Sequence, residues 1–288
     1  MTGGMFLFAG ADVLAKLLTE TLHPIQIVWS RQLGLLVSVL LLLVLRGPSI
    51  LHTLHPGLQI SRGVLATGSA TLFIFAVGYV PLADAVVVTF VAPFMVTIMG
   101  ALILKEPVGL RRWTAVVIGF IGTLIVIRPG MGVIHPAVML ILLAALLFAS
   151  RQILSRVLSS TDRTITTVAY TALAGSFLSS LAVPFVWQWP GTNEEIALLA
   201  GMAVLAGLGE LLVIKALEIA QAVVVAPVHY SLLIWSTMYG YLVFSQLPDQ
   251  WTWIGALIIV ATGIYTLNRE RQAAAKQRAA AARQQSNR

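Results

Sequence analysis

Long apolar runs, separated by short polar breaks, fill the chain up to about residue 268. A helix that crosses a bilayer needs about 20 mostly apolar residues. Divided at Pro, Gly, His and clusters of charge, the pattern predicts ten such helices. They cover roughly 2–19, 24–46, 57–79, 81–104, 110–128, 135–158, 164–187, 194–218, 221–247 and 249–268. Two of these segments carry a proline well inside. The fourth reads Asp84-Ala-Val-Val-Val-Thr-Phe-Val-Ala-Pro93, and the ninth reads Gln221-Ala-Val-Val-Val-Ala-Pro227-Val-His229-Tyr230. A proline inside a helix removes a backbone hydrogen bond and kinks it. Paired interruptions of this kind point to a transport site between two structural repeats.

The halves repeat elsewhere too. Leu7-Phe-Ala-Gly-Ala-Asp-Val-Leu-Ala-Lys-Leu-Leu18 aligns with Leu147-Phe-Ala-Ser-Arg-Gln-Ile-Leu-Ser-Arg-Val-Leu158, so Lys16 falls on Arg156 and Asp12 on Gln152. Glu106-Pro107 falls near Leu247-Pro248, and Gly122 on Gly263. Five helices per repeat is an odd number, so the second repeat must enter the membrane from the opposite face. The expected architecture is an all-α membrane protein of ten transmembrane helices in two inverted five-helix repeats. The first repeat takes 1–134 and the second 135–268, with a basic, Ala-rich tail over 269–288 that is either a helical extension or disordered.

Composition narrows the class. The 288 residues are 58% hydrophobic and 10% charged, whereas soluble domains carry roughly 25% charged residues. The net charge of +7 would invite a nucleic-acid reading in a polar chain. Here the charges are too sparse for a basic groove, and six of the eighteen Lys and Arg lie in the last twenty residues. The lipid bilayer is the expected partner, with a small-molecule substrate, no nucleic acid, and a monomer as a plausible state. Lys and Arg concentrate in alternate loops, which predicts both termini in the cytoplasm of a bacterial inner-membrane, multi-pass protein. There is no cysteine, no phosphate-binding Gly-rich loop and no His-Glu-x-x-His pair. No cofactor or metal and no catalytic residue is expected, so the chain reads as a non-enzyme.

Ten helices as five plus five, the Lys105-Glu106-Pro107 turn after the fourth segment and Gly119-Phe-Ile-Gly122 in the fifth resemble the drug/metabolite transporter superfamily, EamA type. Within it the chain looks most similar to amino-acid exporters of the YddG type. The resemblance implies outward transport of amino acids, aromatic ones among them, by alternating access. It also implies a central cavity among helices 1, 3, 4, 6, 8 and 9. Efflux of drugs or organic cations is the alternative within the superfamily. A non-transporting scaffold or an intramembrane enzyme is the alternative outside it.

Ionisable groups at membrane depth are costly and mark candidate sites. One cluster is Asp12 and Lys16 in the first segment with Arg31 in the second, where Arg31 can reach Asp12. The other is Arg151, Arg156, Glu210 and Lys215. Either set can brace helices, gate a mouth, or hold the charged ends of a zwitterion. Asp12, Lys16, Arg31, Arg156 and Lys215 are read as gating or ion-pair residues, and Arg151 and Glu210 as substrate-binding. Pro93 and Pro227 are read as hinges. Around them Tyr79, Phe90, Phe94, His229, Tyr230 and Trp235 are expected to line an aromatic cavity with a few polar handles. The other expected role for His229 is a helix-bridging one. Gly207 and Gly209 are expected to let substrate approach the backbone beside Glu210.

Overall fold

A computed structural model describes residues 1–106, 108–128, 135–159, 161–219 and 226–286. Among these residues all regular structure is helical. Eleven helices follow in order: α1 (Thr2–Leu18), α2 (Pro24–Arg46), α3 (Pro56–Val77), α4 (Leu82–Thr89), α5 (Ala92–Ile103), α6 (Leu110–Ile127), α7 (Val138–Leu158), α8 (Thr164–Ala182), α9 (Asn193–Ile219), α10 (Ser231–Phe244) and α11 (Gln250–Ser286). Short 3-10 turns occupy Pro48–Leu51, Val183–Phe185 and Ala226–Tyr230. Among the described residues eight helical stretches are long and apolar enough to cross a membrane, with Leu82–Ile103 taken as one.

Local chemistry explains several boundaries. Pro24 and Pro56 open α2 and α3, where a missing N–H costs nothing. The His23 ring accepts a bond from the Ile25 N–H at 3.3 Å and caps α2. Asp249 accepts from the Thr252 N–H at 2.8 Å and caps α11. The fourth apolar segment is not one helix. Pro93 has no N–H to give the Thr89 carbonyl, and the helix opens one turn earlier, at Phe90 and Val91. The ninth segment is broken as well: Ala226–Tyr230 is 3-10, and α10 begins only at Ser231. Residues 221–225, its Val-rich start, lie outside the described residues, as does Pro107. The last apolar segment covers Gln250–Arg269, as expected, and α11 runs on helically beyond it to Ser286, so the tail takes the helical form of the two expected for it.

The packing is two-fold. α1 packs on α9 as α7 packs on α3. α2 packs on α9 as α8 does on α3, and α1 packs on α10 as α7 does on α4 and α5. α2 meets α8, and α6 meets α11, mate against mate. The mates run in opposite directions. The Lys16 ammonium donates to the Val80 carbonyl at 2.8 Å, so α1 and α3 end together. Along α3, Arg62 meets Ser155, Ser69 meets the Ala144 carbonyl, and Tyr79 meets His135, so α7 runs against α3 and hence against α1. Close crossings are set by small residues: a methyl at Gly34 would overlap the Ala203 backbone, and one at Gly255 would meet the Gly122 carbonyl.

The core is built around α4 and the break that follows it. Val86, Val87, Val88, Phe90, Val91 and Phe94 are all buried, packed with Ile141, Tyr230 and Ile259. Apolar side chains on α2, α6 and α11, such as Val44, Val117 and Leu257, face outward, as lipid-facing positions do.

Candidate functional site between the two repeats

The two broken helices meet. The Phe90 ring, at the break after α4, stacks on Tyr230 with centroids 4.8 Å apart and sits edge-on to His229 at 6.0 Å. Trp235, one turn into α10, packs edge-to-face on Phe6 of α1 at 5.3 Å. This centre is aromatic, but its polar atoms are unsatisfied. The Tyr230 and Ser231 hydroxyls, the Trp235 indole N–H and the Arg151 Nε are buried without a hydrogen-bond partner. Buried polar groups are nearly always paired. The Tyr230 hydroxyl lies against Gly263 of α11, while the other three, on α7 and α10, lack a partner within the described residues.

A line of charge leads from this centre toward the start of α3 and the ends of α5, α7 and α9. Arg151 lies over the Phe148 ring at 4.5 Å and within electrostatic reach of Glu210 and His229. Glu210 in turn feels Arg151, Arg62 and Arg31. Arg31 holds the Asp12 carboxylate at 2.7 Å, and both are largely buried. Arg62 donates from Nε to the Ser155 hydroxyl at 2.6 Å and from Nη1 to the Thr167 carbonyl at 3.3 Å and the Thr171 hydroxyl. One face of the molecule thus connects to mid-membrane through Arg62, Arg151, Glu210, Arg31 and Asp12.

Each end of the molecule carries the same turn. Lys105 and Ser245, 140 positions apart, both adopt left-handed φ, 54° and 53°. The Glu106 N–H then bonds the Gly100 carbonyl, and the Gln246 N–H bonds the Gly240 carbonyl, each at 3.1 Å. The turn presents Glu106 to Arg156 at 3.0 Å at one end. At the other it presents Gln246 to Lys16 at 3.5 Å. An ion pair at one end has an ion–amide contact as its counterpart at the other. Beside the second contact Arg128 pairs with Asp249 at 2.6 Å. Burial would raise the Asp249 carboxyl, but the Thr252 N–H and Arg128 outweigh it and hold the group below its ordinary value.

The remaining sequence-derived candidates are placed differently. Tyr79 is exposed and stacks on His135 at a helix end, 4.9 Å away, because α3 closes at Val77 and leaves it outside the bundle. Phe94 is fully buried, but its ring fills the space over Gly119 between α5 and α6, so it packs helices rather than facing the centre. Of the residues read as gating or ion-pair groups, Arg156 does pair with Glu106, and Lys215 is exposed on α9. Gly207 and Gly209 admit Gly34, Ser38, Phe8 and Gly4 of neighbouring helices, which makes them packing glycines. Pro93 starts α5, and the backbone at Pro227 is 3-10. The pattern reading overlooked Arg62, counted as a loop charge, although it lies six residues inside an apolar run that opens with Pro56. It also overlooked Ser231 and Phe6, whose signal is their one-turn spacing from Trp235 and Gly10. Two hollows lie off this centre. One, of about 290 Å³, is lined by Arg46, Ser49 and Arg163, and an apolar one of about 390 Å³ lies among α2, α3 and α8.

Comparison with known proteins fits this geometry. The model of the EamA-like transporter family matches twice, over residues 1–128 and 135–269. An S-adenosylmethionine uptake transporter of Rickettsia bellii is 28% identical over 92% of this chain and 91% of its own. A riboflavin transporter of Vibrio cholerae is 34% identical over 73% of this chain and 71% of its own. A pseudopaline exporter of Pseudomonas aeruginosa is 26% identical over 90% and 91%. These relatives carry varied small molecules, and none of them is an amino-acid exporter by name. A solved crystal structure at 16% identity superposes with a TM-score of 0.61 over 93% of this chain and 98% of its own, which speaks for the fold alone. The two family matches, the eight long apolar helices and the transporter relatives lead to one conclusion: the chain is a multi-pass protein of the bacterial inner membrane and belongs to the EamA-like transporter family.

Proposed function

We propose that the protein carries small metabolites that combine an aromatic or heteroaromatic ring with an amino-acid head. The observation that carries this reading is Arg151, buried with its Nε unpartnered and within electrostatic reach of Glu210 and His229, close to the aromatic meeting point of the two broken helices. The ring would stack among Phe90, Tyr230 and Trp235. The α-carboxylate would take the unpartnered Arg151 Nε, and the α-ammonium would face Glu210. Aromatic amino acids and S-adenosylmethionine both fit this description. By the positive-inside rule, the face with Arg46, Lys105, Arg111, Arg112 and Arg163 is cytoplasmic, and both termini with it. The Arg156–Glu106 pair then closes the cytoplasmic mouth, and Lys16–Gln246 the outer one. Rocking the repeats about the central site opens them in turn.

Counterflow in proteoliposomes tests this, with labelled phenylalanine, S-adenosylmethionine and riboflavin. At least one amino-acid-headed substrate is expected to exchange at least tenfold faster than in empty vesicles. The double variant Arg151→Gln/Glu210→Gln removes one charge of each sign and leaves the net interior charge unchanged, so it is expected to fold and to lose that exchange. A flavin carrier is the second reading, favoured by the 34% identity to the riboflavin transporter. It predicts riboflavin exchange that survives the double variant.

A further inference from the structure

The charges between the repeats do not balance. Among the described residues the connected interior line holds three arginines, Arg31, Arg62 and Arg151, and two carboxylates, Asp12 and Glu210. Asp12 is taken up by Arg31 at 2.7 Å. Glu210 is shared, with Arg151, Arg62 and Arg31 all acting on it. Arg62 is the surplus cation. It is 8% exposed, and its hydrogen bonds go to the neutral oxygens of Ser155, Thr167 and Thr171. Its charged neighbours are Arg151, which repels it, and Glu210, which is already engaged. An unbalanced charge at this depth is expensive, and an ion from outside the chain is the natural way to balance it.

We propose that Arg62 sets the charge preference of the transport site, so that the site selects a ligand bearing a carboxylate over a ligand of the same shape that lacks one and is a plain cation. One surplus unit of charge matches a monoanionic carboxylate. Arg151 Nε, buried without an acceptor, gives that carboxylate a directional partner, since a guanidinium pairs with carboxylate geometry. Arg62 acts on the same group through space, a helix away on α3, and binds none of the ligand's ring. The proposal rests on the amino-acid-head reading for the location of the site, and it adds a rule about sign. It also bears on the efflux of simple organic cations, which an interior with excess arginine disfavours.

The test uses purified full-length protein and ligand-induced thermal stabilisation, which rises with binding to the folded state. Two shape-matched series serve as probes: 3-phenylpropionate, phenylalanine and phenethylamine, and the aliphatic pair butyrate and butylamine. In the wild type the anion of each series is expected to bind at least tenfold more tightly than the amine. Arg62→Gln is expected to lower that ratio about tenfold. Arg62→Lys, which keeps the charge, is expected to retain most of it. Arg111→Gln removes the same unit of charge from an exposed site and should leave the ratio unchanged. An anion-to-amine ratio near one in the wild type overturns the proposal, as does a ratio equally affected by Arg62→Gln and Arg111→Gln. If Arg62→Gln does not fold, the wild-type and Arg62→Lys ratios still decide. Preference for butyrate without any binding of the aromatic series would sink the aromatic reading and leave the charge rule standing. Absence of binding by every anion would sink the charge rule.

Discussion

At the scale of single residues, buried charge sets the strongest constraints. Asp12 and Arg31 face each other at 2.7 Å with little access to solvent. Removing one partner of such a pair leaves the other buried and uncompensated, a cost of about 3–5 kcal/mol. Asp12→Asn is therefore expected to lower thermal stability in detergent strongly, and adding Arg31→Gln should restore part of it. If the double variant is no more stable than the single one, the pair is not the brace described here. Asp249 offers a milder case. As the cap of α11 and the partner of Arg128 it is worth about 1 kcal/mol, typical of a helix cap. Its carboxyl is depressed in the fold, so this contribution is present above the unfolded carboxyl's pKa and fades as pH falls through the lower folded value. Asp249→Ala is expected to destabilise the protein at pH 7, and a pH titration of the melting temperature should find the gap closing only in strong acid. The reach of Arg31 to Asp12 was legible in the sequence, because mid-segment charges must find partners. The inward or outward facing of Tyr79 and Phe94 was not, because an all-apolar helix carries no polar stripe to mark its buried side.

At the scale of elements, two devices recur at corresponding positions of the halves. The broken helices were foreshadowed by Pro93 and Pro227, though not the location of the first break. It falls at Phe90 and Val91, where the lost hydrogen bond to Thr89 is felt, and so Phe90 rather than Phe94 reaches the centre. The terminal turns were only partly legible. Matching Glu106-Pro107 to Leu247-Pro248 gave their approximate place. The equivalence of Lys105 with Ser245, and of Glu106 with Gln246, lies in backbone geometry that no residue pattern states. The inequality of the two latches has a consequence. Gln246→Glu would turn the Lys16 contact into a second ion pair and favour closure of that mouth. Partly exposed pairs contribute up to about 1 kcal/mol, so access to the centre from that face should fall up to about fivefold. With a thiol placed at the centre by Ser231→Cys, a labelling rate from that face that rises in Gln246→Glu would contradict the assignment of Lys16 and Gln246 as a latch.

At the scale of the whole molecule, the two-fold arrangement ties these parts together. Pairings between helices recur when the halves are exchanged, and mates run antiparallel, so a shape open to one face has a counterpart open to the other. The all-helical class, the repeat and the family resemblance were within reach of the sequence, since apolar length, spacing and offset carry them. The kind of substrate was not, because it depends on which charges meet across the interface and on their sum. Alternating access requires that the meeting point of the broken helices be reached from both faces in turn. The chain contains no cysteine, so Ser231→Cys places a single thiol there. The decisive measurement is its labelling by a membrane-impermeant maleimide, applied separately to each face of sealed vesicles. The account predicts labelling from either face, slowed from both by a transported substrate. Labelling from one face alone, or from neither, would contradict it.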